Sequence, residues 1–345
     1  MVFEHAGRLL AKGHEMNVVY PRKIYANYNL KYRLRQTVKD IRESLSGKSV
    51  SYDPDTLLPV PTEVPSLHER FIPESDIIVA TGWVTALWTN RYGADKGRKI
   101  YFIQHYEDWW GPKGKKDGVD VTWTIPLRKI VVSSWLRNLS EKKFNQKVFG
   151  VVSNGVDLDI FYNKNKQYNN VKQLCMMYHK MNWKGLKYGI KAIAEVKRHY
   201  PHLRIVMFGF FPSPKLPFKA TYYRDPSLEK LREIYSSSDI FVSPSLSEGF
   251  NLPPMEAMAC QCAVIATDVG AVSDYAEEGK TALICRPGDS HALFTRIRLL
   301  LEDEQLLKTI SMGGYRKVAQ FTWEKSNNKL EAFFQEALLT SNVFC

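Results

Sequence analysis

Glu248 and Glu256 stand with seven residues between them in the segment SPSLSEGFNLPPMEAMACQCAVIATDVG, residues 243–270. The segment reads as the end of a strand, a loop carrying Glu248 and Gly249, and a helix opening at Pro253 and Pro254, where the N–H groups that proline lacks would be unpaired in any case. A helix N-terminus offers free N–H groups and a partial positive charge, which suit a diphosphate or the hydroxyl-rich sugar beside it. Gly249 would let the backbone approach such a ligand closely. Taken singly, Glu256 could merely complement a helix dipole, and a Glu-Gly pair in a loop is common. Glycoside hydrolysis with retention needs carboxylates about 5–5.5 Å apart, whereas eight helical residues span about 12 Å, so this pair does not read as a hydrolytic acid and nucleophile.

The elements that would carry these residues follow a βαβ rhythm. Phe3 to Lys12 has apolar residues at helical spacing and stops at Gly13, and Met16 to Tyr20 reads as a short strand. Apolar runs at 76–80, 99–103 and 129–132 read as strands, and Trp135 to Phe144 as a helix capped by Ser133 or Ser134. The polar run NKNKQYNN, residues 163–170, marks a boundary. Beyond it, strands are expected near 174–178, 203–209, 240–243, 263–267 and 282–285, with helices near 186–199, 227–236, 254–260 and 290–303. Together these predict one complete doubly wound domain, followed by a packed helix over 323–339.

With 345 residues, 44% hydrophobic and 24% charged, the chain fits two α/β domains and excludes disordered and fibrous classes. No apolar run approaches the ~18 residues of a membrane span, and the start carries no secretory signal, so a cytoplasmic protein is expected. Five cysteines without paired spacing read as buried small hydrophobes. The net charge of +12 is uneven, with ten Lys or Arg against four Asp or Glu in residues 1–50. Such a surface suits a phosphorylated acceptor, nucleic acid or the acidic inner face of a membrane, or is simply solvated.

The 243–270 arrangement resembles the Glu-x7-Glu signature of GT4-type retaining glycosyltransferases (glycosyl transferases group 1). The resemblance runs along nearly the whole chain. AGRLLAKGHEMNVV is similar to that family's first helix and second strand, VVSNGVDLDIF to the entry into the linker, WKGLKYGIKAI to the donor-phosphate helix, and FTWEKS to the return helix. It implies the GT-B fold, two Rossmann-like doubly wound domains facing a cleft. Residues 1–160 would form an acceptor-side domain lacking the family's first strand and Gly-rich loop, 161–322 a nucleotide-sugar domain, and 323–345 a helix packing back toward the first.

By the same resemblance Glu248 would contact hydroxyls of the transferred sugar, and Gly249, Phe250, Asn251 and Leu252 would offer backbone amides. Glu256 would hold the ribose, and Lys184 would neutralise the donor diphosphate. Where the family has an arginine five residues before that lysine, this chain has His179, with Lys180 next to it. His105, in YFIQHYEDWW, matches a loop histidine near the donor sugar. Glu107 and Asp108 share its loop and read more simply as solvated carboxylates. Trp109, Trp110 and Trp123 suit sugar stacking, a membrane face or plain packing.

The expected activity is transfer of a hexose or deoxyhexose from a nucleotide diphosphate sugar to a polysaccharide or lipid-linked glycan, without metal or other cofactor. Peripheral contact with an acidic membrane through the basic N-terminal part goes with it. The alternatives are a noncatalytic GT-B-like subunit and a sugar-nucleotide epimerase. Nucleic acid is not an expected partner, since no recognised reading motif accompanies the charge.

Overall fold

The computed structural model of the chain describes residues 1–22, 61–107, 117–168 and 172–340. Most of the basic 1–50 stretch therefore lies outside the described residues, as do Asp108, Trp109, Trp110 and Cys345. The chain forms two compact units: Met1–Ile103 with Glu107–Ile130 and Asn327–Cys345, and Gln104–Tyr106 with Val131–Ser326.

In the first unit the amphipathic helix Val2–Ala11 buries His5, Ala6 and Leu9. Strands β1 (Val19–Pro21) and β2 (Thr62–Val64) form a parallel pair. Strands β3 (Ile77–Ala80), β4 (Arg98–Ile103) and β5 (Arg128–Val131) lie side by side in that order. Trp123 is fully buried, so packing accounts for it. The helix Trp323–Leu339 enters this unit at Asn327, whose side-chain oxygen lies 3.2 Å from His5 Nδ1. Lys12 and His14 both reach Glu331, so the opening and closing helices are joined by polar contacts.

The second unit includes β6 (Gly150–Val151) and is built on a sheet of six parallel strands: β7 (Gln173–Met177), β8 (Arg204–Gly209), β9 (Thr221–Arg224), β10 (Ile240–Ser243), β11 (Ala263–Thr267) and β12 (Leu283–Cys285). Their order is β12-β11-β10-β7-β8-β9. Strands covered on both faces read as continuous apolar runs, and β10 and β11 are buried throughout. The core under them joins Met176, Ile193, Met207, Val242, Ile265 and Ile297. Cys175, Cys260, Cys262 and Cys285 are free and buried. Burial raises the thiols of Cys260 to about 12 and of Cys285 to about 11.

Among the elements of this unit that the sequence reading did not place are β9 and the helix Glu304–Val318. β9 has an exposed, partly exposed, partly exposed and exposed residue in turn, because it is an edge strand with no apolar run to announce it. The helix Glu304–Val318 continues through Gly313 and Gly314, which in isolation read as a stop. The reason is contact: a Cβ at Gly313 would lie 2.1 Å from the Lys280 carbonyl oxygen.

Ordinarily an alanine in place of a helical glycine stabilises by ~1 kcal/mol. At Gly313 the backbone of Lys280 occupies the methyl's place. Gly313→Ala is expected to destabilise the second unit by about 1–3 kcal/mol, the range for overpacking. A urea midpoint equal to or above the native one would contradict this.

Candidate active site

In the six-stranded sheet, β7 is the strand at which the order turns. The connection from β7 runs to β8 on one side, and that from β10 runs to β11 on the other. Loops leaving the carboxyl ends of β7 and β10 therefore diverge, and open parallel sheets bind ligands at such a switch point. Residues 178–185 follow β7, and residues 244–251 follow β10.

The two loops are fastened by backbone. The Trp183 carbonyl accepts from Leu246 N (2.6 Å) and Ser247 N (3.4 Å). Gly185, at φ +63°, lies so close to the Pro244 carbonyl that a Cβ would sit 1.8 Å from its oxygen. This contact aims the side chain just before the glycine: Lys184 Nζ lies 2.7 Å from Glu248 Oε1, in an ion pair whose side chains are 20% and 7% exposed. Ser245 Oγ donates to the same oxygen at 2.7 Å. Both of these bonds go to Oε1, and among the described residues none reaches Oε2.

Around this pair lie the other residues expected from the sequence. Gly249 presses on the Gln104–His105 backbone, where a Cβ would be 1.8 Å from Gln104 O and 3.0 Å from His105 Cα. The His105 ring is thereby brought beside the loop. Its Nδ1 lies 3.1 Å from the Tyr106 carbonyl, so Nδ1 carries the proton, since a carbonyl only accepts. Burial lowers His105 to about 4, and the Lys184 ammonium adds to that against backbone hydrogen bonds at Tyr106 and Ser247. The ring is neutral at pH 7.

His179 accepts from Met181 N at 3.2 Å and packs edge-on to Phe211. Burial lowers its pKa, with Lys184 and Lys180 acting in the same sense, so it supplies no cation at neutral pH. Lys180 places its ammonium 4.3 Å from the centroid of the Phe211 ring. Glu107, by contrast, accepts from Trp83 N at 2.8 Å in the first unit, and burial raises its pKa.

The helix after β10 runs Leu252–Ala259, one residue earlier than the double proline suggests. Asn251 precedes it in the left-handed region at φ 75°, with its amide on Ser243 Oγ and its carbonyl on the Tyr275 hydroxyl. Phe250 is buried against Tyr275. Because Pro253 and Pro254 have no N–H and Met255 N is the first to bond within the helix, Leu252 is the helical residue left as a donor, and the remaining amides belong to residues 249–251.

Glu256 lies in this helix and accepts from the Tyr235 hydroxyl through Oε2 at 3.0 Å. Tyr235 is fully buried, ringed edge-on by Phe161, Phe208 and Phe241. Burial pushes the Glu256 carboxyl up to about 7, the Tyr235 hydrogen bond working the other way. The glutamates are thus each held through one oxygen by a hydroxyl group. Sequence reasoning missed both hydroxyls: Ser245 lies inside the quoted segment, but Tyr235 sits at the end of an unremarkable helix. Among the described residues no three or more of His, Cys, Asp and Glu gather to hold a metal, and no helix is long and apolar enough to cross a membrane.

The chain is similar to known proteins over part or all of its length. Residues 172–303 match the family Glycosyl transferases group 1. The chain is 27% identical over 156 residues to the sulfoquinovosyl transferase SQD2 of Arabidopsis thaliana, a stretch that is 42% of this chain and 30% of that protein. Such matches span between 25% and 59% of the length of curated relatives. Among solved structures, the sucrose-phosphate synthase of Thermosynechococcus elongatus superposes with a TM-score of 0.73 at 17% identity, over 99% of this chain and 93% of that one. HepE of Anabaena, solved in complex with UDP-glucose, superposes with a TM-score of 0.63 at 16% identity, over 76% and 79%. The fold is mixed α/β with parallel sheets, as in GT-B glycosyltransferases.

A carboxyl whose folded pKa is raised binds more protons folded than unfolded between about 4.5 and about 7, so it costs stability as pH rises through that window. Glu256→Gln removes the titrating group and keeps an oxygen for Tyr235. The variant is expected to exceed the native chain in stability by ~1–3 kcal/mol at pH 8, with the difference shrinking toward pH 5. Urea unfolding at both pH values checks this, and a difference independent of pH would refute it.

Proposed function

We propose, for a chain whose residues 172–303 form a glycosyl transferases group 1 domain, that the protein is a retaining glycosyltransferase. It would move a hexose or deoxyhexose from a nucleotide diphosphate sugar to a polysaccharide or lipid-linked glycan. The observation that carries this reading is the Lys184–Glu248 pair at the switch point, with the 249–252 backbone on one side and a neutral His105 beside it. An ammonium, backbone amides and a carboxylate within one short loop system match the three parts of such a donor: diphosphate, its neighbouring oxygens, and sugar hydroxyls.

In the proposed reaction the bond between the anomeric carbon and the diphosphate oxygen breaks, and the electron pair leaves with the diphosphate. Lys184 and the loop amides stabilise the charge that develops there. The acceptor oxygen bonds to the anomeric carbon on the face the diphosphate leaves. Its proton passes to the departing phosphate oxygen, so configuration is kept without a protein nucleophile. Glu248, whose bonds to Lys184 and Ser245 both use Oε1, holds a sugar hydroxyl through Oε2, and Glu256 holds the ribose. His105, being neutral, contributes a polar edge without repelling Lys184. No metal enters this scheme.

One observation favours the alternative, a noncatalytic GT-B-like subunit: His179 stands where a permanent cation would strengthen the diphosphate site, and its lowered pKa leaves it uncharged.

Because Lys184 and Glu248 are bonded to each other, their substitutions should not add. Glu248→Gln and Lys184→Ala are each expected to lower kcat/KM by about 10²- to 10³-fold, and the double variant by little more than the worse single one. Donor turnover with a panel of nucleotide sugars is the assay. Donor binding without turnover by the native chain would favour the noncatalytic subunit, and multiplicative losses would show that the two side chains act independently.

A further inference from the structure

We propose that Ser245 is the positioning residue that decides which oxygen of Glu248 meets the sugar, an inference that rests on the donor reading above. Two groups hold Oε1: the Lys184 ammonium and the Ser245 hydroxyl, each at 2.7 Å. They are not equivalent. Lysine is a point charge on a four-carbon stem, able to follow an anion elsewhere, and it imposes little direction. Serine has one proton on a short side chain, and Ser245 is 3% exposed.

The backbone of Ser245 is itself fixed from three sides. Thr267 Oγ1 donates to its carbonyl, Gly185 abuts the preceding Pro244 carbonyl, and Trp183 O takes the N–H of the following Leu246. Behind Glu248, Gly270 at φ +57° stands against the Glu248 carbonyl, where a Cβ would be 2.4 Å from the oxygen. The carboxylate can therefore shift neither back nor sideways with its main chain, and its remaining freedom is rotation of the side chain. The Ser245 hydroxyl removes that freedom. When the ammonium of Lys184 turns toward a diphosphate, Ser245 stays on Oε1, so Oε2 remains the oxygen left to accept from the ligand. A carboxylate oxygen only accepts, so the group recognised is a hydroxyl donating to Oε2.

The test compares Ser245→Ala and Ser245→Thr with the native chain. UDP and GDP serve as calorimetric probes, and UDP-glucose, UDP-N-acetylglucosamine and GDP-mannose as donors. Loss of a hydrogen bond to a charged group is expected to lower kcat by about 10- to 100-fold in Ser245→Ala. Affinity for the nucleoside diphosphate should stay within about twofold, and Ser245→Thr, which keeps the hydroxyl, should recover most of the rate. The proposal is overturned if kcat of Ser245→Ala stays within about twofold of native, if nucleoside diphosphate affinity falls in step with kcat, or if the threonine variant fails like the alanine one. Should the native chain bind none of these probes, the donor reading fails, and the crystal structure of Ser245→Ala decides the present proposal. A Glu248 carboxylate rotated away from its native orientation supports it, and an unchanged one overturns it.

Discussion

Removing an ammonium and a carboxylate from water is costly unless each has the other, and the second unit is arranged so that Lys184 and Glu248 are never alone. The pairing is a backbone achievement. Two loops sixty residues apart meet because the Trp183 carbonyl binds two successive N–H groups and because Gly185 leaves room for the Pro244 carbonyl. The parallel sheet beneath makes the loops neighbours, since β7 and β10 are hydrogen-bonded partners with Leu174 opposite Ile240. Sheet order sets the distance, glycine permits the contact, and the charges follow.

Electrostatics around the pair are kept one-sided by burial rather than by further ions. His105 and His179 both approach Lys184, and both are driven toward the neutral form by desolvation, with the ammonium pushing the same way. The local positive charge is therefore carried by lysine. Glu256 is treated differently: its carboxyl is held near neutrality by burial against a tyrosine whose ring is locked among three phenylalanines. One glutamate is thus paired with a cation at 2.7 Å, and the other sits closer to its protonated form.

Much of this was legible in the sequence where local chemistry decides structure. The buried strands of the second unit announce themselves as apolar runs, the Ser133 cap of the Ser134–Phe144 helix as a serine before a helical pattern, and the Glu248 loop as a strand end followed by glycine and two prolines. What was not legible depends on partners far along the chain. β9 is an edge strand with little to bury, and Gly313 and Gly314 look like breakers until the Lys280–Thr281 backbone is seen against them. The roles of Ser245 and Tyr235 require knowing which oxygen each hydroxyl meets. Nothing in YFIQHYEDWW reveals that Gln104 lies on Gly249, because that contact joins residues 145 positions apart.

The buried thiols give the second unit an internal reporter. Cys175 and Cys285 lie in strands β7 and β12, while Cys260 and Cys262 bracket the turn that leads into β11, so the set samples both the middle and one edge of the sheet. With burial holding Cys175, Cys260 and Cys285 in the unreactive protonated form, an alkylating reagent meets them only when the sheet opens. Their modification then depends on the protein's own breathing and, once alkylation outpaces reclosing, becomes indifferent to how much reagent is added.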